Sequence, residues 1–160
     1  MAINIKAFLR TIAGFDRLRD SELERLANIA QVRTAAAGQP IDVQGQPAEK
    51  FCILESGRLG VVLELDFGVA RQSYMVTTLG PGQMFAWSGL VGNPHYTAGS
   101  KCLTDCRYLE FDVGQLLKLF EEDPQLGYVM MRLVAQTIAS RLKHIQLQLA
   151  QQCALNESAE

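Results

Sequence analysis

Residues 45–61, GQPAEKFCILESGRLGV, decide the fold of this chain. The apolar run FCIL has the length of a buried strand, and Gly57 follows it where a tight corner favours glycine. In the stretch after the corner, RLGVVLELD, every second side chain from Leu59 to Leu65 is apolar. Such alternation is typical of a strand with one buried face. These residues therefore predict two strands separated by a turn.

The same pattern of short strands and glycine turns extends on both sides, from about residue 32 to residue 111. Turn residues recur about every ten positions, which is typical of an all-β sandwich, roll or barrel. The runs that predict strands are QVRTAAAG, PIDVQG, FCILESG, RLGVVLELDFG, RQSYMVTTLGPG, SKCLTD and CRYLEF.

Helices are predicted before and after this β region. Apolar residues at helical spacing indicate a first helix near the start, and Ser21 with Glu24 three residues later has the pattern of a capping box for a second. After the strands, DVGQLLKLFEE indicates a short helix. Asp123 and Pro124 then fit an N-cap and first helical residue, and nothing interrupts the helix until about Gln152.

The two halves of this long helix differ in pattern. The apolar residues of its first half are suited to packing on the chain's own domain. In its second half a narrower apolar stripe has the 4-3-4 spacing of a heptad seam, which predicts a homodimer through paired helices. The first set is Met130, Leu133, Val134 and Thr137, and the seam is Ile138, Leu142, Ile145 and Leu149.

Composition limits the function. With 160 residues, 48% hydrophobic and a net charge of −2, the chain has the size of one domain and no basic surplus for nucleic acid or an anionic membrane. Neither a signal peptide nor a membrane-spanning apolar run is evident, so we expect a cytoplasmic protein. The four cysteines lack metal-ligand spacing, and we expect reduced, partly buried thiols.

The order helix, glycine-punctuated β region and long helix resembles the cyclic-nucleotide-binding domain of the catabolite-activator type. The resemblance covers about residues 8–148, and GQPAEKFCILESGRLGV is its most distinctive part. It implies an α+β fold: an antiparallel, jelly-roll-like β-roll (a double-stranded β-helix) with N-terminal helices and a long C-terminal helix. We expect the domain to occupy 1–122, the long helix 123–153 and a flexible tail 154–160.

In that family a phosphate-binding cassette, a short loop and helix between two strands, follows the G-Q-x-F corner, and here it corresponds to FAWSGLVGNPHYTAG at 85–99. The family begins the cassette with a Gly-Glu pair whose Glu accepts from a ribose hydroxyl, whereas this chain has Ala86 and Trp87. Indole has one donor and no acceptor. Where the family has an Arg for the cyclic phosphate, this chain offers His95 or Tyr96, depending on one gap. High affinity for cyclic AMP is therefore not expected.

The resemblance still predicts a ligand site in the cassette. Ser88 and Gly89 offer N–H groups to an anion, and His95 is a weaker anion contact. Trp87 either fills the pocket or stacks on a planar ligand. The predicted ligand-binding residues are Phe85, Ala86, Trp87, Ser88, Gly89, Leu90, His95, Tyr96, Thr97 and Ala98. Weaker candidates for a lid on the long helix are Tyr128, Met131 and Ala135.

Two functions remain open at this point. The first is a regulatory sensor that binds a cyclic nucleotide, cyclic AMP or cyclic GMP, or another small anion, and signals through the C-terminal helix to an unidentified partner or output domain. The second is a ligand-free interaction or dimerisation module. No catalytic constellation or metal-ligand spacing appears, so we expect no enzyme, no metal and no resident cofactor. Haem and iron–sulfur sensing lack the histidine and cysteine patterns that they need.

Overall fold

The computed structural model describes residues 3–157. It contains four α-helices, two short 3-10 turns and eight strands, all paired antiparallel. The helices are α1 (Ile5–Thr11), α2 (Asp20–Ile29), α3 (Val113–Glu122) and α4 (Pro124–Glu157), and the 3-10 turns are Phe15–Arg17 and Ser88–Val91. The strands are β1 (Gln31–Ala35), β2 (Pro40–Asp42), β3 (Lys50–Ser56), β4 (Leu59–Asp66), β5 (Arg71–Leu79), β6 (Met84–Phe85), β7 (Gly99–Cys102) and β8 (Cys106–Asp112).

The strands form two four-stranded sheets, which confirms the predicted α+β jelly-roll-like fold. One sheet has the order β1-β8-β3-β6 and the other β2-β7-β4-β5. All seven predicted strand runs are strands, and β6 is an eighth that the sequence pattern missed. Two residues are too few to show a period of two.

Residues 51–54 of strand β3 are all apolar because both faces of the strand are buried there. Phe51 and Ile53 face the helices, in a core that α1, α2, α3 and the first half of α4 complete. Cys52 and Leu54 face the other way, into a smaller core between the two sheets. Alternate side chains of a strand point to opposite faces, so a strand covered on both sides needs an unbroken apolar run.

Helix α2 begins two residues earlier than the sequence pattern suggests, with Arg19 rather than Ser21 as its N-cap. The capping box predicted at Ser21 and Glu24 is wrong. The buried Glu22 accepts a hydrogen bond of 2.6 Å from the backbone N–H of Arg19, which is the N-cap residue. Both pairs have the same three-residue spacing, but Glu22 is buried, whereas the carboxylate of Glu24 accepts a hydrogen bond from Lys6.

The long helix begins as predicted. The carboxylate of Asp123 accepts from the backbone N–H of Leu126 at 3.2 Å, and Pro124 is the first helical residue. The helix ends at Glu157, so it extends into the segment 154–160 that was expected to be a tail; residues 158–160 lie outside the described residues. No helix among residues 3–157 is both long and apolar enough to span a membrane.

Three of the four cysteines are buried and all four are free. Cys52, Cys102 and Cys106 lie in the core between the sheets, so they are more buried than the sequence suggested. Cys153 is exposed near the end of α4. It is therefore the one thiol that a labelling reagent can reach without unfolding the domain.

Candidate ligand-binding site

A cavity of about 320 Å³ lies between the cassette, the sheet that contains β4, and the second half of α4. Its size is at the lower end of the range for small-molecule sites. The apolar face of β4 that the sequence indicated forms part of its wall, through Val61 and Leu63. The other lining residues are Asp42, Val76, Thr77, Phe85, Ala86, Trp87, Ser88, Tyr96, Thr97, Ala98, Gly99, Ser100, Ile138, Arg141, Leu142 and Ile145.

The cassette enters this cavity through a left-handed residue. Strand β6 ends at Phe85, and Ala86 then has φ of 56°, the only positive φ of a non-glycine residue among residues 3–157. Trp87 starts the 3-10 turn Ser88–Val91, and Gly92, at φ of 83°, ends it. After this reversal, the side chains of Trp87 and Ser88 line the cavity.

We expect Ala86→Gly to stabilise the protein by about 1 kcal/mol. The left-handed conformation costs an L-residue about 1–2 kcal/mol and costs glycine nothing. Part of this gain is lost because the unfolded chain has more conformational entropy with glycine than with alanine. Urea unfolding measures the change. Ala98→Gly is the matched control, since Ala98 lines the same cavity without a positive φ. A gain at residue 98 as large as that at 86 would contradict the backbone explanation.

The structure brings seven of the ten predicted site residues together around the cavity. They are Phe85, Ala86, Trp87, Ser88, Tyr96, Thr97 and Ala98. The other three, Gly89, Leu90 and His95, do not line it. Leu90 is buried in the helical core, and Gly89 lies against the backbone carbonyl of Ala48.

His95 and Tyr96, the two candidates for the place of the family's Arg, point in different directions. His95 is exposed and pairs with Pro47 across an isolated bridge, away from the cavity. Tyr96 is buried, and its hydroxyl accepts from the backbone N–H of Lys50 at 3.1 Å and donates to the carbonyl of the same residue at 3.0 Å. The ring of Tyr96 thus forms part of the cavity wall, while its hydroxyl group faces the backbone of β3.

Trp87 forms one wall of the cavity and does not fill it. Its indole Nε1 is buried and has no hydrogen-bond partner among residues 3–157. The guanidinium of Arg141 lies over the ring, 5.7 Å from its centroid, at a distance typical of a cation–π contact. The cavity therefore has a planar aromatic wall with a cation at one end.

Arg141 is a site residue that the sequence analysis missed. It comes from α4, and its Nη2 donates a hydrogen bond to the carbonyl of Met84. Burial lowers the pKa of Arg141 to about 10, and the charge of Asp42 offsets only part of that effect. The signal was present, because Arg141 lies three residues after Ile138 and four before Ile145, on the same face of the helix.

Asp42 is the second charged residue that the sequence analysis missed. It ends β2, is 8% exposed, and its Oδ1 accepts a hydrogen bond from the hydroxyl of Ser100. Burial raises the pKa of Asp42 from 3.8 to about 6, while that hydrogen bond and the charge of Arg141 act in the opposite direction. The cavity is thus lined by one carboxyl group and one guanidinium. In each, neighbouring groups offset only part of the effect of burial on the pKa.

The pKa of Asp42 predicts a pH dependence of stability. Since the folded pKa is raised, the folded protein binds more protons than the unfolded chain between pH 3.8 and about 6. Stability from this group is therefore lost as the pH rises through that window. From pH 4.5 to 7.5 we expect wild type to lose about 2 kcal/mol more than Asp42→Asn. Urea unfolding at both pH values measures these losses, with Asp16→Asn as the exposed control. Equal losses of stability in wild type and Asp42→Asn would contradict the raised pKa of Asp42.

The part of α4 that covers the cavity lies further along the helix than predicted. The suggested lid residues Tyr128, Met131 and Ala135 do not line it. Tyr128 is exposed, and Met131 packs on the helical core. The covering residues are Ile138, Arg141, Leu142 and Ile145, three of which belong to the predicted heptad seam. The same helix segment therefore faces the cavity and carries the candidate dimer contacts.

Solved structures share this fold. A cyclic nucleotide-binding domain from Methylobacillus flagellatus superposes with a TM-score of 0.79 at 14% identity, over 92% of this chain and 82% of its own. The catabolite activator protein of Thermus thermophilus gives 0.67 at 22% identity, over 88% and 62% of the two chains. At these identities the likeness shows the fold alone.

The curated relatives that match are much longer proteins. An uncharacterized NTE family protein of Mycobacterium bovis is 25% identical over 130 residues, which is 81% of this chain and 21% of that protein. The chain therefore spans about a fifth of the length of the curated relatives it matches. The sequence model of the cyclic nucleotide-binding domain family matches residues 32–123, from β1 through the cassette to the end of α3. Fold and family match agree: the chain belongs to the cyclic nucleotide-binding domain family, whose members are regulatory domains.

Proposed function

We propose that this chain is a regulatory sensor domain that binds a small anionic ligand in the cavity and signals its occupancy through α4. The observation that carries the proposal is the shared wall of the cavity, because the cassette lines one side and the second half of α4 the other. A ligand there contacts both. A ligand shifts a conformational equilibrium only through contacts that differ between the two states, and contacts to both the cassette and α4 would differ if α4 moved relative to the cassette.

The charge of Arg141 supports an anionic ligand. None of the ion pairs found within residues 3–157 includes this guanidinium. A half-buried cation with one hydrogen bond, to a neutral carbonyl, gains from a ligand oxygen that carries negative charge. A cyclic nucleotide remains a candidate, although Trp87 offers its ribose no acceptor.

A change in the position of α4 would alter its contacts with a second copy of the chain or with an output partner. Leu142, Ile145 and Leu149 of the predicted seam are exposed in the single chain. This exposure also favours the second candidate, an interaction module that works without ligand. The open cavity beside Trp87 supports the sensor more than that alternative, since a self-filled pocket would have no such volume.

A two-reporter titration tests the proposal. Trp87 is the only tryptophan and reports the cavity, and a fluorescent label on the exposed Cys153 reports the end of α4. The ligands are cyclic AMP, cyclic GMP and a cyclic dinucleotide, together with the aromatic acids described below, with thermal shift as the control for quenching. We expect a ligand that changes both reporters with one saturation midpoint. A response at Trp87 alone, or none at either site with every ligand, would overturn the sensor.

A further inference from the structure

We infer that the ligand of this cavity is an aromatic monocarboxylate that carries one N–H or O–H donor on its ring, rather than a sugar phosphate. The inference rests on the proposed function, because it names the ligand class of the same site. It comes from three features of the lining: a carbon-rich wall, one cationic end and one buried acceptor.

The wall is mostly carbon, and the side-chain hydroxyls that remain for a sugar are those of Thr77, Ser88 and Thr97. Of the polar side chains that line it, Tyr96 has its hydroxyl bonded to the backbone of Lys50, and Ser100 donates to Asp42. A buried hydroxyl without a partner disfavours binding, whereas a flat ring gains from apolar contact. The carbon side chains that supply this contact are Val61, Leu63, Val76, Trp87, Ile138 and Leu142.

The cationic end can balance one negative charge. Among residues 3–157, Arg141 is the only Lys or Arg that lines the cavity. Stacking on the ring of Trp87 and the hydrogen bond to Met84 fix its guanidinium, and the remaining N–H groups form a planar donor set that matches a carboxylate.

The acceptor end is the carboxylate of Asp42. The hydroxyl of Ser100 bonds to Oδ1, and the carboxylate has further lone pairs for a second donor. No lysine or arginine other than Arg141 lines this cavity, and Asp42 forms no ion pair within residues 3–157. An O–H or N–H group of the ligand would donate a second hydrogen bond to this buried carboxylate, which a purely apolar ring cannot do.

Calorimetric titration at pH 7.5 with four probes tests the ligand class. The probe 4-hydroxyphenylacetate has both groups, phenylacetate lacks the donor, 4-hydroxyphenylacetamide lacks the charge, and cyclic AMP represents sugar phosphates. We expect 4-hydroxyphenylacetate to bind most tightly. Loss of either group should weaken binding about tenfold or more, the usual effect of removing one partner of a charge-assisted hydrogen bond.

Two substitutions assign the two ends. Arg141→Gln should remove the preference for the acid over the amide and keep the preference for the hydroxyl. Asp42→Asn should do the reverse. Arg132→Gln is the matched control, because Arg132 lies on the same helix, is exposed and does not line the cavity. Thermal unfolding of each variant shows whether the fold is retained.

The outcomes separate this inference from the proposed function. If cyclic AMP binds more tightly than all three aromatic probes, or if neither substitution changes the preferences, the ligand class is wrong, while a response of the Cys153 label would still support the sensor. If 4-hydroxyphenylacetate binds as expected but α4 does not respond, the ligand class stands and the sensor fails. If none of the probes binds, the inference fails.

Discussion

The Gly89→Ala protein is expected to be less stable than wild type by about 3 kcal/mol, near the upper end of the cost of overpacking. A Cβ at residue 89 would lie 2.1 Å from the backbone carbonyl oxygen of Ala48 and 3.1 Å from a methyl group of Val113. The carbonyl cannot yield without moving the chain that leads into β3. The 3-10 turn of the cassette would therefore shift away from the domain.

Gly92→Ala is the control for this substitution. Gly92 ends the same turn at φ of 83°, but a Cβ there meets no atom within 4 Å. Its replacement should cost only the left-handed conformation, about 1–2 kcal/mol. Urea unfolding with both proteins gives the comparison. If Gly92→Ala were as destabilising as Gly89→Ala, the close approach to Ala48 would not be the reason for glycine at 89.

The Met130→Ala protein is expected to lose about 2–5 kcal/mol, the usual cost of removing a fully buried large side chain. Met130 is 0% exposed and lies in the core between α4 and β3. Leu149→Ala removes a side chain from the same helix that is 60% exposed. Its effect on the unfolding of the single chain should stay within about 0.5 kcal/mol.

This pair of substitutions tests the division of α4 into two halves. Equal losses of unfolding free energy would show that the second half packs on the domain as tightly as the first. If the seam forms a homodimer, Leu149→Ala should weaken association in sedimentation equilibrium while Met130→Ala should not. An unchanged association constant for Leu149→Ala would count against the seam.

Much of the fold followed from local patterns in the sequence. Glycine turns and short apolar runs located seven strands, and Asp123 with Pro124 located the start of α4, because each depends on neighbouring residues. The capping box of α2 could not be chosen correctly from spacing, since Glu22 and Glu24 both fit. What separates them depends on distant contacts, because Glu22 is buried while Glu24 pairs with Lys6 of α1.

The candidate site was predicted where it is local and missed where it depends on distant contacts. The cassette contributes a continuous segment, so the resemblance identified the seven lining residues at 85–88 and 96–98. Asp42 and Arg141 approach the same cavity from opposite ends of the chain, and periodicity assigns a helix face without identifying what lies opposite it. His95 does not line the cavity, and its backbone pairs with Pro47, a contact that local sequence does not reveal.

Hydrogen–deuterium exchange of the full chain, with and without saturating 4-hydroxyphenylacetate or cyclic nucleotide, tests the central claim most directly. The claim is that one ligand contacts both the cassette and α4. We expect slower exchange in two separate segments, 85–100 and 138–149, with the same ligand. Slower exchange confined to the cassette, or unchanged exchange in both segments with every ligand, would contradict it.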